Sequence, residues 1–227
     1  NFDILALRNA YHGLSNQAMG LTALHTWKYP YPHGFGVKHV RCPDRYRGPH
    51  GYDDPDAGSK YADEVADVIQ HETSGEIAGF IAEPIQGVGG TVELPLGYLA
   101  KVYDLVRGHG GVCISDEVQT GFGRTGTAFW GFENHGVSPD IVTMAKGMAS
   151  AYAPISAAAV RSEIFEKFLH DPSDKYDYFR DISTYGGCTS GFAAALENLR
   201  ILEEEDLVEN ARVVGDYLYD RLLELAD

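Results

Sequence analysis

Gly110-Gly111-Val112-Cys113-Ile114-Ser115-Asp116-Glu117-Val118-Gln119-Thr120-Gly121 decides the fold. Val112 to Ser115 is a short β-rich apolar run between a Gly-Gly pair and two acids. That is the pattern of a buried strand in a parallel sheet. In open α/β sheets the carboxyl ends of strands open onto the ligand crevice. Asp116 and Glu117 stand at that end. A carboxylate there needs a cation, a metal or a hydrogen-bond donor, because burying a lone charge is costly.

Working outward, Ile77-Ala78-Gly79-Phe80-Ile81-Ala82-Glu83-Pro84 reads as a second buried strand. It too ends in an acid, and Pro84 stops it. Gly87 to Gly90 reads as a flexible turn. A helix from about Leu96 to Gly108 carries Leu99, Val102, Tyr103 and Val106 on one face and leads into Val112. Strand, helix and strand form a βαβ unit, so the two strands are parallel. Asp140 to Gly147 is a third buried strand that ends in Lys146 rather than an acid. Lysine is seldom fully buried unpaired. Lys146 either snorkels to the rim of the sheet or points into the crevice that holds Asp116.

The outer elements follow the same rules. Asn1 to Leu7 looks like a strand, and Lys60 to Glu72 a helix with Ala62, Val65, Ala66 and Ile69 inward. Gly75 follows its end. Ser156 to Val160 is a short strand and Glu163 to Leu169 a helix. A polar linker spans His170 to Asp181. The Gly-rich turn Ser183 to Cys188 precedes a helix over Phe192 to Glu203, whose start could hold an anion. A last helix runs from about Leu207. Leu14 to Gly58 reads as irregular, and so long a loop usually serves function or an interface.

Composition narrows the function. The net charge of −15 over 227 residues leaves no basic surface to follow nucleic acid. Cys42, Cys113 and Cys188 form neither a disulfide framework nor a metal site. No run approaches the ~18 apolar residues of a membrane span, and no targeting segment is visible, so a cytoplasmic location is expected. Gly121-Phe122-Gly123-Arg124-Thr125-Gly126 matches G-x-G-x-x-G, but two acids separate it from the strand and no helix follows, which rejects a dinucleotide site. Its glycines are expected to let the loop pass close to something bound at Asp116. No G-x-x-x-x-G-K-[ST] loop accompanies the two acids, which rejects an ATPase.

One crevice thus gathers an acid, a lysine, the aromatic of Tyr11-His12-Gly13 and hydroxyl donors at a helix start. The alternative for Tyr11 and His12 is a packed tyrosine and a surface histidine. A partly neutral lysine can form a Schiff base with an aldehyde. Pyridoxal phosphate needs such a lysine, a carboxylate for its pyridine nitrogen, an aromatic against its ring and donors for its phosphate.

At this point the chain resembles the class III (fold-type I) aminotransferases along nearly all its length. The likeness lies in Tyr11-His12-Gly13, Ala82-Glu83-Pro84-Ile85-Gln86-Gly87, Asp116 through Gly126, Pro139 to Val142 with Ala145-Lys146-Gly147, and Ser183 to Gly187. It implies a three-layer α/β/α large domain with a mostly parallel sheet over residues 1–227, with 205–227 starting the helix toward a small domain. The family's phosphate loop and small C-terminal domain would then lie outside the sequence. It implies pyridoxal 5′-phosphate as cofactor, with Lys146 as Schiff-base lysine and proton shuttle and Asp116 protonating the pyridine nitrogen. Val118 and Tyr11 would cover the two ring faces, and Gln119 would hydrogen-bond the phenolic oxygen. Thr184 would reach the phosphate of a neighbouring subunit, making the unit a homodimer or higher oligomer. Glu83 and His12 would stand behind these groups or be plainly structural.

Two features depart from or narrow the pattern. Cys188-Thr189 replace the Asn-Pro of many members. Val88 stands where users of ornithine or 4-aminobutyrate carry an acid, which argues against those substrates. The sequence is similar to the alanine–glyoxylate aminotransferase 2 group and, at Ala151 to Ile155, to ω-amino acid–pyruvate transaminases. An amino acid or ω-amino acid donor with pyruvate or glyoxylate as oxo acid is the expected chemistry. Aminomutase or decarboxylase activity on the same scaffold, or an inactive dimerising subunit, are the alternatives.

Overall fold

The computed structural model describes all residues except 170, 172, 178, 180–182 and 226–227, so part of the expected linker lies outside the described residues. The elements in order are β1 (Ile4–Leu7), α1 (Asn16–Leu21), β2 (Val37–Val40), α2 (Ala57–Glu72), β3 (Gly79–Ala82), β4 (Ile85–Gln86) and β5 (Val92–Glu93). Then come α3 (Tyr98–Gly108), β6 (Val112–Asp116), β7 (Ile141–Met144), β8 (Ala157–Val160), α4 (Ser162–Phe165), α5 (Thr189–Glu204) and α6 (Leu207–Leu223).

Six strands form one sheet in the order β2-β1-β3-β6-β7-β8. Every pairing is parallel except β7 with β8. The α/β class with a mostly parallel sheet therefore matches the sequence reading. Pairing places Leu5, Phe80 and Cys113 in one row across the sheet. That row packs under α2 and α3, whose inward residues include Tyr61, Val65, Ile69, Leu99, Val102 and Val106. The 3.6-residue spacing of those positions makes both segments helical and fixes which face they bury. α2 ends at Thr73, whose hydroxyl caps the Ile69 carbonyl, and Gly75 turns the chain with φ +87°.

Side chains alternate along a strand, so Ile114 and Asp116 leave the sheet on the face away from α2 and α3. β7 is half-buried throughout and β8 exposed throughout, less covered than the sequence suggests for β7.

Several boundaries differ from the sequence reading. Leu14 to Gly58 is not wholly irregular: it contains α1 and the edge strand β2. Val37-Lys38-His39-Val40 escapes a sequence reading because Lys38 and His39 interrupt the apolar run, and parallel pairing with β1 supplies what local pattern lacks. Gly87 to Gly90 closes the β4–β5 hairpin. The 163–169 helix is α4 followed by a 3₁₀ turn, Glu166–Phe168. No helix among the described residues is long and apolar enough to cross a membrane.

Candidate active site

Asp116 ends β6 and is buried. Its Oδ2 lies 2.7 Å from His12 Nδ1, and the two side chains are 7% and 1% exposed. Its Oδ1 accepts the Val118 amide at 3.1 Å. Nδ1 facing a carboxylate carries the proton, so His12 donates. His12 Nε2 is buried with no partner among the described residues.

The loop that carries His12 follows β1 and crosses the end of β3 to reach β6. Glu83, just past β3, holds it there. Glu83 Oε1 accepts the Tyr11 amide at 3.2 Å and Oε2 the Gly87 amide at 3.0 Å. Burial pushes the Glu83 carboxyl above its usual range, and those two amides and His12 pull it back. Thr22 adds a clamp that sequence gave no signal for. Its hydroxyl accepts the His12 amide at 2.9 Å and donates to the Gly13 carbonyl at 3.1 Å. The half-buried Tyr11 ring meets Trp27 edge-on at 5.3 Å.

Glu117 is satisfied by hydrogen-bond donors. It is fully buried and accepts four hydrogen bonds, from Ser115 Oγ, Thr120 Oγ1 and the amides of Gly131 and Phe132, at 2.7–3.0 Å. One carboxylate thereby ties the end of β6 to the loop fifteen residues on. The glycines of that loop also serve packing. A Cβ on Gly123 would sit 2.6 Å from Val208 Cγ2, and one on Gly126 2.6 Å from Arg212 N. These two let α6 approach, while Gly121 of the same run lines the cavity of Lys146.

Thr143 of β7 pairs with Asp116, and Lys146 follows three residues later at the same end of the sheet. Lys146 is exposed and has φ +33°. With Val118, Gln119, Gly121, Arg124 and Gly147 it lines a cavity of about 330 Å³. Gln119 is exposed, with its amide against Gly87. Lys146, Val118 and Gln119 thus meet at one cavity, and Asp116, His12, Tyr11 and Glu83 form one connected network that joins it through Val118. Thr184 does not join them. It lies in an exposed turn, outside that cavity.

The arrangement suits a substituted pyridine. Each oxygen of Asp116 has one donor and lone-pair capacity for another, and the cavity falls within the ~300–1,000 Å³ of small-molecule sites. The site thus sets an anchored acid at one strand end and an amine at the next on a mostly parallel α/β sheet. The class-III aminotransferase model matches residues 2–227, and the chain belongs to that family.

Members of this family depend on pyridoxal 5′-phosphate. The chain is 46% identical over 225 residues to the mitochondrial alanine–glyoxylate aminotransferase 2 homolog 2 of Arabidopsis thaliana, covering 99% of this chain and 44% of that protein. It is 40% identical to human mitochondrial alanine–glyoxylate aminotransferase 2, covering 100% and 46%. A thermostable (S)-enantioselective omega-transaminase from Thermomicrobium roseum superposes with a TM-score of 0.90 at 40% identity, covering 99% and 49%. The chain therefore spans about half the length of the relatives it matches.

Proposed function

We propose that the chain is the cofactor-binding part of a transaminase that moves an amino group from an amino acid or ω-amino acid to pyruvate or glyoxylate. The observation that carries this reading is the register of Asp116 with Thr143, which sets a buried, hydrogen-bonded carboxylate and the Lys146 amine at adjacent strand ends. Pyridoxal 5′-phosphate, when bound, supplies an aldehyde for amino groups and a ring that withdraws electrons.

The residues divide the remaining work. Asp116 would hold a proton on the ring nitrogen, and His12 Nδ1–H and the Val118 amide fix the direction of its carboxylate. Val118 and Tyr11 would bound the ring faces, and Gln119 would donate to the phenolic oxygen. The Lys146 amine would hold the cofactor's aldehyde carbon and, once released from it, would move a proton at the substrate carbon. Glu83 works through others: it fixes Tyr11 and His12 by the Tyr11 amide. Thr184, exposed and apart from Lys146, suits a site shared with a second copy in a homodimer or higher oligomer.

The test is chemical trapping. Borohydride reduction in the presence of pyridoxal 5′-phosphate is expected to label Lys146, and Lys146→Ala to abolish the label. Asp116→Ala keeps the label and lowers turnover by about 100-fold or more. A labelled peptide containing Lys28, Lys38, Lys60 or Lys101 instead would falsify the assignment.

A further inference from the structure

Asn198 of α5 grips the chain immediately after Lys146. Its Nδ2 donates to the Gly147 carbonyl at 2.8 Å and to the Met148 carbonyl at 3.2 Å. Its Oδ1 accepts the Ser150 hydroxyl at 2.7 Å. Carbonyl oxygens only accept, so the NH₂ end of the amide must face Gly147 and Met148. One half-buried side chain thus reaches partners 48 to 51 positions earlier in the chain.

The segment it grips has little to hold it otherwise. Lys146, Ser150 and Ala151 have φ of +33°, +47° and +62°, and none is a glycine. Such angles persist only where the surroundings impose them. Lys146–Met148 is a single 3₁₀ turn without a side-chain cap. Its neighbouring backbone bonds are local: Met148 N donates to the Ala145 carbonyl at 2.8 Å and Tyr152 N to the Ala149 carbonyl at 2.9 Å. On one side the Phe122 ring lies so near that a Cβ on Gly147 would meet it at 3.2 Å. On the other, α5 approaches through Gly191, where a Cβ would sit 3.4 Å from the Pro154 carbonyl oxygen. Phe122 gives that segment packing alone, whereas Asn198 fixes the direction of two peptide carbonyls.

We propose that Asn198 is a positioning residue that sets the Lys146 backbone so that the amine enters the cavity it shares with Val118 and Gln119. This rests on the transaminase reading above and deepens it. Lysine carries its amine on a flexible four-carbon stem, so the direction in which that stem leaves the backbone decides what the amine reaches. A small misplacement of a reacting group lowers rate steeply.

Two variants separate the tether from packing. Asn198→Ala removes both ends of the amide. Asn198→Asp keeps the shape and the acceptor for Ser150 but turns an oxygen toward two carbonyls. Without cofactor, both are expected to speed hydrogen exchange of the Met148 and Tyr152 amides about 10-fold or more, with α3 unchanged. When pyridoxal 5′-phosphate is added, the rate constant for borohydride-trapped label appearing at Lys146 is expected to fall about 10- to 100-fold in both. A merely structural loss lowers the final amount of label and leaves that rate constant alone. Parent-like exchange in either variant, or faster exchange with an unchanged rate constant, overturns the assignment of Asn198. If the parent itself is not labelled at Lys146, the transaminase reading fails, and hydrogen exchange still decides whether Asn198 holds the segment.

Discussion

The segment through β6 and the segment after β7 hold their parts of the site in opposite ways. In the first, α2 and α3 bury Tyr61, Val65, Ile69, Leu99 and Val102 to 1% exposure or less. In the second, β8 is exposed at all four residues, and α6 presents Val214, Tyr217 and Leu218 at 55%, 66% and 56%. Contiguous apolar surface of that kind signals contact with something more than its own chain. Asp116 belongs to the first segment and Lys146 to the edge of the second. The acid is therefore set in place by the core, while the amine depends on a thinly packed neighbour. The shared link is the loop that Glu117 ties to β6 and that Gly123 and Gly126 press against α6.

Glu117→Ala strikes that link hardest. It strands two buried hydroxyls and two amides, and is expected to lower stability by about 3–5 kcal/mol in chemical denaturation. A loss below about 1 kcal/mol would break the comparison, because the loop would then not depend on the core. Gly126→Ala is a narrower blow. The added carbon meets the Arg212 backbone at 2.6 Å, and φ there is +73°. About 1–3 kcal/mol is expected. Hydrogen exchange sharpens the result: protection should fall in α6 and not in α2 or α3.

The smallest effect is in pH. Burial lowers the pKa of His39 and of His135, with backbone carbonyls at Leu21 and Pro84 partly opposing it. The unfolded chain then takes up protons first, near pH 6.5. Stability is full above that pH and falls as pH drops toward the folded values. His39→Asn is expected to flatten this slope. An unchanged slope in thermal melts from pH 7.5 to 5.5 would remove His39 from the account.

The mostly parallel sheet, the helices and the positions of Asp116 and Lys146 at neighbouring strand ends were legible in the sequence because each rests on a local pattern. Periodicity marks α2 and α3, apolar runs mark β3, β6 and β7, and strand ends mark Asp116 and Lys146. What escaped depends on contacts distant in sequence. β2 is a strand through its pairing with β1. Glu117 stood beside Asp116 as an acid in need of a partner, and only the loop folding back upon it supplies the donors. Thr22 gave no hint of clamping His12. Gly123 and Gly126 gave no sign in the sequence that α6 packs against them.

Lys146 keeps a backbone angle of +33°, a region that suits glycine better than a side-chain-bearing residue. Any programme that ranks variants by thermal tolerance alone will therefore favour replacements at this position. Each such gain in robustness removes the amine, so heat resistance and amino transfer must be screened together.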